Sequence, residues 1–264
     1  MKLLINMVIL MLFITSCEKV IDVKLDSVAK KYVIEGNISD EPGVCQVKIT
    51  QTKDFNEDNT FPGVSGAIVT VSDNGGTPVL LTETSTGVYE TTAINGTVGH
   101  TYTLKVQIGE QTFTAPSTMP VLVPFDSMYI DDRVLFGDPK KVPTLKYTDP
   151  EGKGNGYHFI QYKNGVREST IFVRNDDFTD GNDITTALIS FGDDDEEDDI
   201  KTGDTIRVVM ECIDVAGYKY WSSLEAASGD SNNATPANPV SNITGGALGY
   251  FSAHTTQEKT VVVP

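Results

Sequence analysis

Cysteine is scarce in this chain, with three residues in 264, at positions 17, 45 and 212. A scaffold held by disulfides is excluded by that count alone. Histidine is as rare: His100, His158 and His254 form no HxH or HExxH spacing, so no zinc motif is written in the sequence. Tryptophan occurs once, as Trp221. Positive charge is short as well, because 20 Lys and Arg face 37 Asp and Glu, a formal net charge of -17. Neutralising phosphates needs the opposite balance, which excludes nucleic acid as a partner. The same deficit excludes adsorption to an anionic lipid surface by charge.

What is present begins at the first residues. Met1-Lys2 is a basic start, and residues 3–14 are apolar apart from Asn6. The run is too short to cross a bilayer as a mature helix but suits the apolar region of a signal peptide. Ile14-Thr15-Ser16-Cys17-Glu18 follows and has the form of a lipobox. Small residues at 15 and 16 admit a signal peptidase to the bond before Cys17, whose thiol would then carry lipid. Residues 1–16 are therefore expected to be a lipoprotein signal peptide and 17–30 an anchor and tether. Charge cannot bind this body to a membrane, so acyl chains such as palmitate on Cys17 must do so, and more than one chain makes the anchoring stable. An ordinary secretory cleavage beside a coincidental cysteine is the alternative.

The dominant period along the body is two. Thr101-Tyr102-Thr103-Leu104-Lys105-Val106-Gln107-Ile108 alternates polar and apolar without a break, the pattern of a half-buried strand. Similar segments lie at 32–38, 44–52, 67–72, 79–82, 87–92 and 111–115, separated by Asp40-Glu41-Pro42-Gly43, Asp73-Asn74-Gly75-Gly76 and Asn95-Gly96 turns. About seven short strands in about ninety residues predict an immunoglobulin-like sandwich over 31–115. Pro116, Pro120 and Pro124 then predict a stiff connector over 116–125. Strand patterns resume at 127–135, 144–147, 156–163, 168–174, 185–190, 204–214, 249–254 and 259–263. Tyr218, Trp221 and Leu224, spaced by three, predict a short helix over 218–227. The fold class is thus all-β, with a second β-rich domain over 126–264 that carries one helix. Cys45 and Cys212 sit on the apolar faces of their strands and read as small buried hydrophobes. A disulfide between them would have to bridge the two domains.

The sites that chemistry would need do not declare themselves. Seven consecutive carboxylates at 193–199 cannot wrap around a single ion and read as a solvated loop. Asp176-Asp177-Phe178-Thr179-Asp180-Gly181-Asn182-Asp183 superficially matches a calcium loop, but Phe178 stands where the third ligand belongs and no Glu closes it, which leaves a turn. Gly63-Val64-Ser65-Gly66 puts its second glycine one position early for a nucleophile elbow. Gly152-Lys153-Gly154-Asn155-Gly156 has no following helix and reads as a hairpin turn, not a phosphate cradle. Trp221 with Tyr218 and Tyr220 is either an aromatic platform for a ligand or a patch packed on a sheet. No catalytic residue, cofactor or metal ligand emerges, so the expectation is a protein that is not an enzyme.

Several stretches together resemble a known family. Cys17-Glu18-Lys19-Val20-Ile21-Asp22 and Tyr32-Val33-Ile34-Glu35-Gly36-Asn37-Ile38 are similar to the opening of a Bacteroidetes lipoprotein family, domain of unknown function 4249. Val64-Ser65-Gly66-Ala67-Ile68-Val69-Thr70-Val71, Gly87-Val88-Tyr89, and Asp149-Pro150-Glu151-Gly152 with Tyr157-His158-Phe159 fit the same pattern. The most specific stretch is Asn238-Pro239-Val240-Ser241-Asn242-Ile243-Thr244-Gly245-Gly246-Ala247-Leu248-Gly249-Tyr250-Phe251. Its physical reading is structural, with Gly245-Gly246 permitting a positive-φ bend and Leu248, Tyr250 and Phe251 able to pack. The resemblance implies an outer-membrane lipoprotein, often encoded beside a TonB-dependent receptor, and supplies no catalytic residues. The expected role is a binding or accessory subunit, its body on either the periplasmic or the outer face. A surface adhesin or glycan-binding module, or a purely structural envelope protein, are the other readings.

Overall fold

The computed structural model describes residues 29–264 apart from 44, 55–56, 58–59, 191–198 and 229–237. Cys17, the signal segment and most of the acidic run therefore lie outside the described residues. Period-two burial builds the first half. In β1 (Tyr32–Ser39) Ile34, Gly36 and Ile38 point inward, as do Cys45, Val47 and Ile49 of β2 (Cys45–Gln51) and Tyr102, Leu104 and Val106 of β7 (Thr101–Ile108). Together with β3 (Ile68–Asp73), β4 (Val79–Leu80) and β8 (Gln111–Thr118), β7 forms a four-stranded sheet in the order β4-β3-β7-β8. It faces β1, β2, β5 (Thr82–Ser85) and β6 (Val88–Thr91) across a core that includes Ile34, Val47, Val71, Leu104 and Phe113.

Two strand ends differ from the sequence expectation for identifiable reasons. The expected single strand at 79–82 is split at buried Leu81, where the chain crosses from one sheet to the other: β4 pairs with β3 and β5 with β6. The strand expected to stop at 115 runs to Thr118 with Pro116 inside it, opposite Thr103. It lies at the edge of its sheet, where a missing N–H breaks no ladder.

The second half contains β9 (Phe125–Leu135), β10 (Asp138–Thr148), β11 (Gly156–Lys163), β12 (Val166–Arg167), β13 (Phe172–Asn175), β14 (Asp183–Ala187), β15 (Thr205–Ile213) and β16 (Leu248–Val262). β10 begins six residues before the expected 144, because Pro139 and Pro143 interrupt the pattern without interrupting its pairing to β9. The strands expected at 249–254 and 259–263 are one strand. Residues 248–254 of β16 pair in parallel with β1, and residues 255–262 pair antiparallel with β15. This single element splices both halves into a nine-stranded sheet of order β12-β11-β15-β16-β1-β2-β6-β5, with β13 also on β11.

Side-chain alternation then sets out the layers. Phe251 and Ala253 of β16 enter the first core. Thr255, beyond them on the same face, lies opposite Cys212, which belongs to the second core with Ile206, Val208, Met210, Tyr157 and Phe159. That core is closed by the three-stranded sheet β14-β10-β9 through Phe125, Leu145 and Tyr147. Both small sheets thus lie on one face of the long sheet, an all-β sandwich architecture. The sequence division assigns 126–264 to a second unit, yet Ile243, Ala247, Phe251 and Ala253 pack in the first core.

The opposite face carries helix α1 (Val215–Ser228), which packs on β11, β13 and β16. It starts three residues before the expected 218. Asp214 caps it: Oδ1 accepts from the Gly217 N–H at 2.7 Å, and the Tyr218 N–H donates to its carbonyl. The second carboxylate oxygen accepts from Ser117 Oγ and the Thr118 N–H, tying the helix start to the end of β8.

The closing motif has its structural explanation here. Gly245 and Gly246 adopt φ +95° and +91°, the bend expected of them. Asn242 exchanges two hydrogen bonds with the backbone of Phe251, and Ser241 Oγ donates to the Gly249 carbonyl. At Gly249, φ is +96° and a Cβ would collide with the Ile34 carbonyl oxygen, so only glycine allows β16 to approach β1.

Candidate functional site

Between α1 and the long sheet, three strands bring together residues that are far apart in sequence. His158 on β11 and Glu211 on β15 are directly paired across the ladder, and His254 of β16 lies beside them on the same face. His158 Nδ1 is 2.8 Å from Glu211 Oε2, and His254 Nε2 is 3.6 Å from Oε1. Ser252 Oγ lies 3.1 Å from His254 Nδ1. All three side chains are largely buried, Glu211 the most exposed at 15%. Burial alone would push the Glu211 carboxyl up, but the adjoining His254 and His158 imidazoles and the Arg167 charge hold it down at about 2.

Trp221 supplies the lid of this cluster. Its ring stacks on His158 with centroids 4.1 Å apart and planes within 13°, and it leans on Tyr220 and Tyr250. Of the two readings of this aromatic group, the packed patch is the observed one. The indole lies over a histidine instead of facing solvent as a platform.

A cavity of about 240 Å³ opens beside the cluster. Its origin is an irregularity at the sheet edge. The strand expected over 168–174 begins only at Phe172: β12 ends at Arg167, the Glu168 N–H still donates to the Gln161 carbonyl of β11, and residues 169–171 belong to no strand. His158, Ile160, Arg167, Glu168, Ser169 and Thr170 line the space with Phe159 and Ile171. Among the described residues, His158 Nε2 has no hydrogen-bond partner and Arg167 makes no ion pair.

Acidic residues meet elsewhere. Asp149 follows β10, while Asp176 and Asp180 belong to the loop that resembles a calcium site. One carboxylate oxygen from each lies within 4.8 Å of the others, the one such group among the described residues. These oxygens could hold a cation, but backbone and hydroxyl donors already serve them. Asp176 Oδ2 accepts from the Gly154 and Asn155 N–H groups, Asp180 Oδ1 from Gly152 N–H, and Asp149 from Gly181 N–H and the Tyr157 hydroxyl. The turn expected around Asp180-Gly181 is present, with Gly181 at φ +73°. The partnership of Asp149 with this turn escaped the sequence, since 27 residues separate it from Asp176.

The remaining candidates are accounted for separately. His100 pairs with Asp73 at 2.8 Å, half-exposed on the four-stranded sheet side and away from the other two histidines. Cys45 and Cys212 are free and buried, one in each core, and burial pushes the Cys45 thiol up to about 12. Asp199, the last residue of the acidic run, is described and pairs with Lys140 at 2.6 Å.

Against this geometry, the model of the family described as domain of unknown function 4249 matches residues 18–260. The chain belongs to that family. No curated protein matches this domain of unknown function 4249 member. Among solved structures it is similar to the chicken interferon gamma receptor alpha chain, at 9% identity over 90% of this chain and 100% of that one. The TM-score is 0.25, too loose a likeness to carry an argument.

Proposed function

We propose that this protein is a lipid-anchored binding or accessory subunit of a bacterial outer membrane, working beside a TonB-dependent receptor. The observation that carries the reading is the Ile14-Thr15-Ser16-Cys17-Glu18 lipobox behind a short apolar run. An acidic body that charge cannot bring to anionic lipid needs such an anchor. No helix among the described residues is long and apolar enough to cross a membrane, so none of them offers a helical alternative to the lipid. The family resemblance supplies the receptor as partner, and the β-sandwich body with a cavity at one sheet edge suits binding. The adhesin reading through an aromatic platform loses its main support, because Trp221 is stacked on His158.

The test is capture of the tagged full chain from native membranes. Co-recovery of a β-barrel receptor is the expected result, and recovery of the lipoprotein alone overturns the partnership. The anchor is tested separately by Cys17→Ala, which should move the protein from the membrane pellet to the soluble fraction and abolish palmitate labelling.

A further inference from the structure

We propose that the rigid turn between β13 and β14 is a docking surface, with Phe178 as the plug that enters an apolar pocket rimmed by Lys and Arg on a partner protein. The inference concerns the body alone. It does not depend on the lipid anchor or on the partner being the receptor.

Phe178 is 98% exposed, so its ring adds nothing to either core. A loosely held loop tip could carry such a residue without consequence, but this turn is fixed on both sides of it. The Thr179 and Asp180 N–H groups both donate to the Asp176 carbonyl at 3.0 Å, and the Asn182 N–H donates to that of Thr179. Lys153 Nζ donates to the Asp177 carbonyl at 3.2 Å. Beneath them the buried Asp176 carboxylate accepts from the Gly154 and Asn155 N–H groups, and that of Asp180 from the Gly152 N–H. An aromatic ring presented on a preorganised backbone loses little freedom when it binds, which is how the anchoring residues of interfaces act. This is also the calcium-like stretch of the sequence, in which Phe178 takes the place of a metal ligand. Val215, 48% exposed at the start of α1, widens the apolar surface, since its Cγ2 lies 3.6 Å from where a Cβ on Gly154 would stand.

The charges around the ring select the partner. Exposed Glu151, Asp177, Asp180 and Asp183 stand against Lys153 and Arg174, in a chain of net charge -17. Such a rim is repelled by an anionic lipid surface. A second copy docking through the same face would set like charges against each other. A cation is no better suited, because backbone and hydroxyl donors already serve the Asp149, Asp176 and Asp180 carboxylates. What complements an apolar plug in an acidic rim is a pocket of aliphatic or aromatic side chains bordered by Lys and Arg, an interface with a dry centre and a charged edge.

The test puts the photo-crosslinking amino acid p-benzoylphenylalanine in place of Phe178 in the full chain, in native cells, with the same replacement of Val166 as a control. Val166 is 70% exposed on β12 and lies outside the proposed surface. Irradiation should give one discrete protein adduct from position 178, at least about fivefold stronger than any from position 166. The point of attachment should lie in an apolar stretch flanked by Lys or Arg. With that protein purified, Phe178→Ala should weaken binding at least about thirtyfold and Glu151→Lys at least about threefold, while Phe178→Leu recovers part of the loss. The urea midpoint of Phe178→Ala should equal that of the wild type, because the ring packs in neither core. No adduct, an adduct equal to that from position 166, a lipid adduct or a dimer of the chain overturns the proposal. So does binding indifferent to Phe178→Ala, or a lowered urea midpoint, which would make the ring part of the fold.

Discussion

At the scale of single residues, Glu211 places a carboxylate between two histidines and largely out of water. A carboxylate taken out of water costs several kcal/mol unless partners hold its charge, and here two imidazoles do so. Its folded value of about 2 lies below the ordinary 4.5, so the group stabilises the fold above its unfolded value and ceases to as pH falls through the folded one. The contribution is on the order of 3 kcal/mol, lost between about pH 5 and pH 2. Urea midpoints measured from pH 7 to pH 2.5 should therefore fall for the wild type, and Glu211→Gln should be less stable at pH 7 and flatter with acid. Parallel pH curves for the two proteins would sink this account. Nothing in the sequence marks Glu211, which stands among the valines of a strand as an ordinary outward residue. Likewise no spacing joins His158 to His254, because 96 positions separate residues that only the sheet order brings together. The histidines could be named beforehand, and their partner could not.

At the scale of elements, glycine placement and capping decide where strands and helix sit. Gly246 and Gly249 have nearly equal positive φ, but open space surrounds a Cβ at 246 while the Ile34 backbone blocks one at 249. Gly246→Ala should therefore cost only the conformational strain, about 1 kcal/mol, and Gly249→Ala should cost that plus a displaced β1–β16 ladder, at least about 3 kcal/mol. Chemical denaturation of the two variants checks the order, and equal losses would mean that the close approach carries no energy. Helix α1 depends similarly on Asp214. Asp214→Ala removes the cap and takes the acceptor from the Ser117 hydroxyl, which keeps its bond from the Ala253 N–H, and from the Thr118 N–H, an expected loss of about 2 kcal/mol or more. Trp221 fluorescence should report looser packing of the helix at its sheet. Strand periodicity made most of these elements visible in advance. What it missed were strands that contain proline at edges and hairpins, and the crossing at Leu81, where a continuous apolar run hides a change of sheet.

At the scale of the whole molecule, the question is whether two cores behave as one. The proline-rich stretch after residue 115 suggests two independent units, but β16 belongs to both, pairing with β1 along 248–254 and with β15 along 255–262. That sharing was illegible because a single strand serving two partners looks, in sequence, like two strands of one domain. Its energetic consequence is definite. Opening either core exposes one flank of β16, and with it ladder bonds and apolar side chains on which the other core depends. The chain carries its own reporters, since Cys45 lies in the first core and Cys212 in the second, both at 2% exposure. In a Cys17→Ser background, both thiols should become reactive towards a maleimide at the same urea concentration. Phe251→Ala, which empties a ring from the first core alone, should cost about 3–5 kcal/mol and shift both midpoints together. Were Cys45 to open early while Cys212 kept its midpoint, β16 would be a tether between separate domains and not the strand that makes them one.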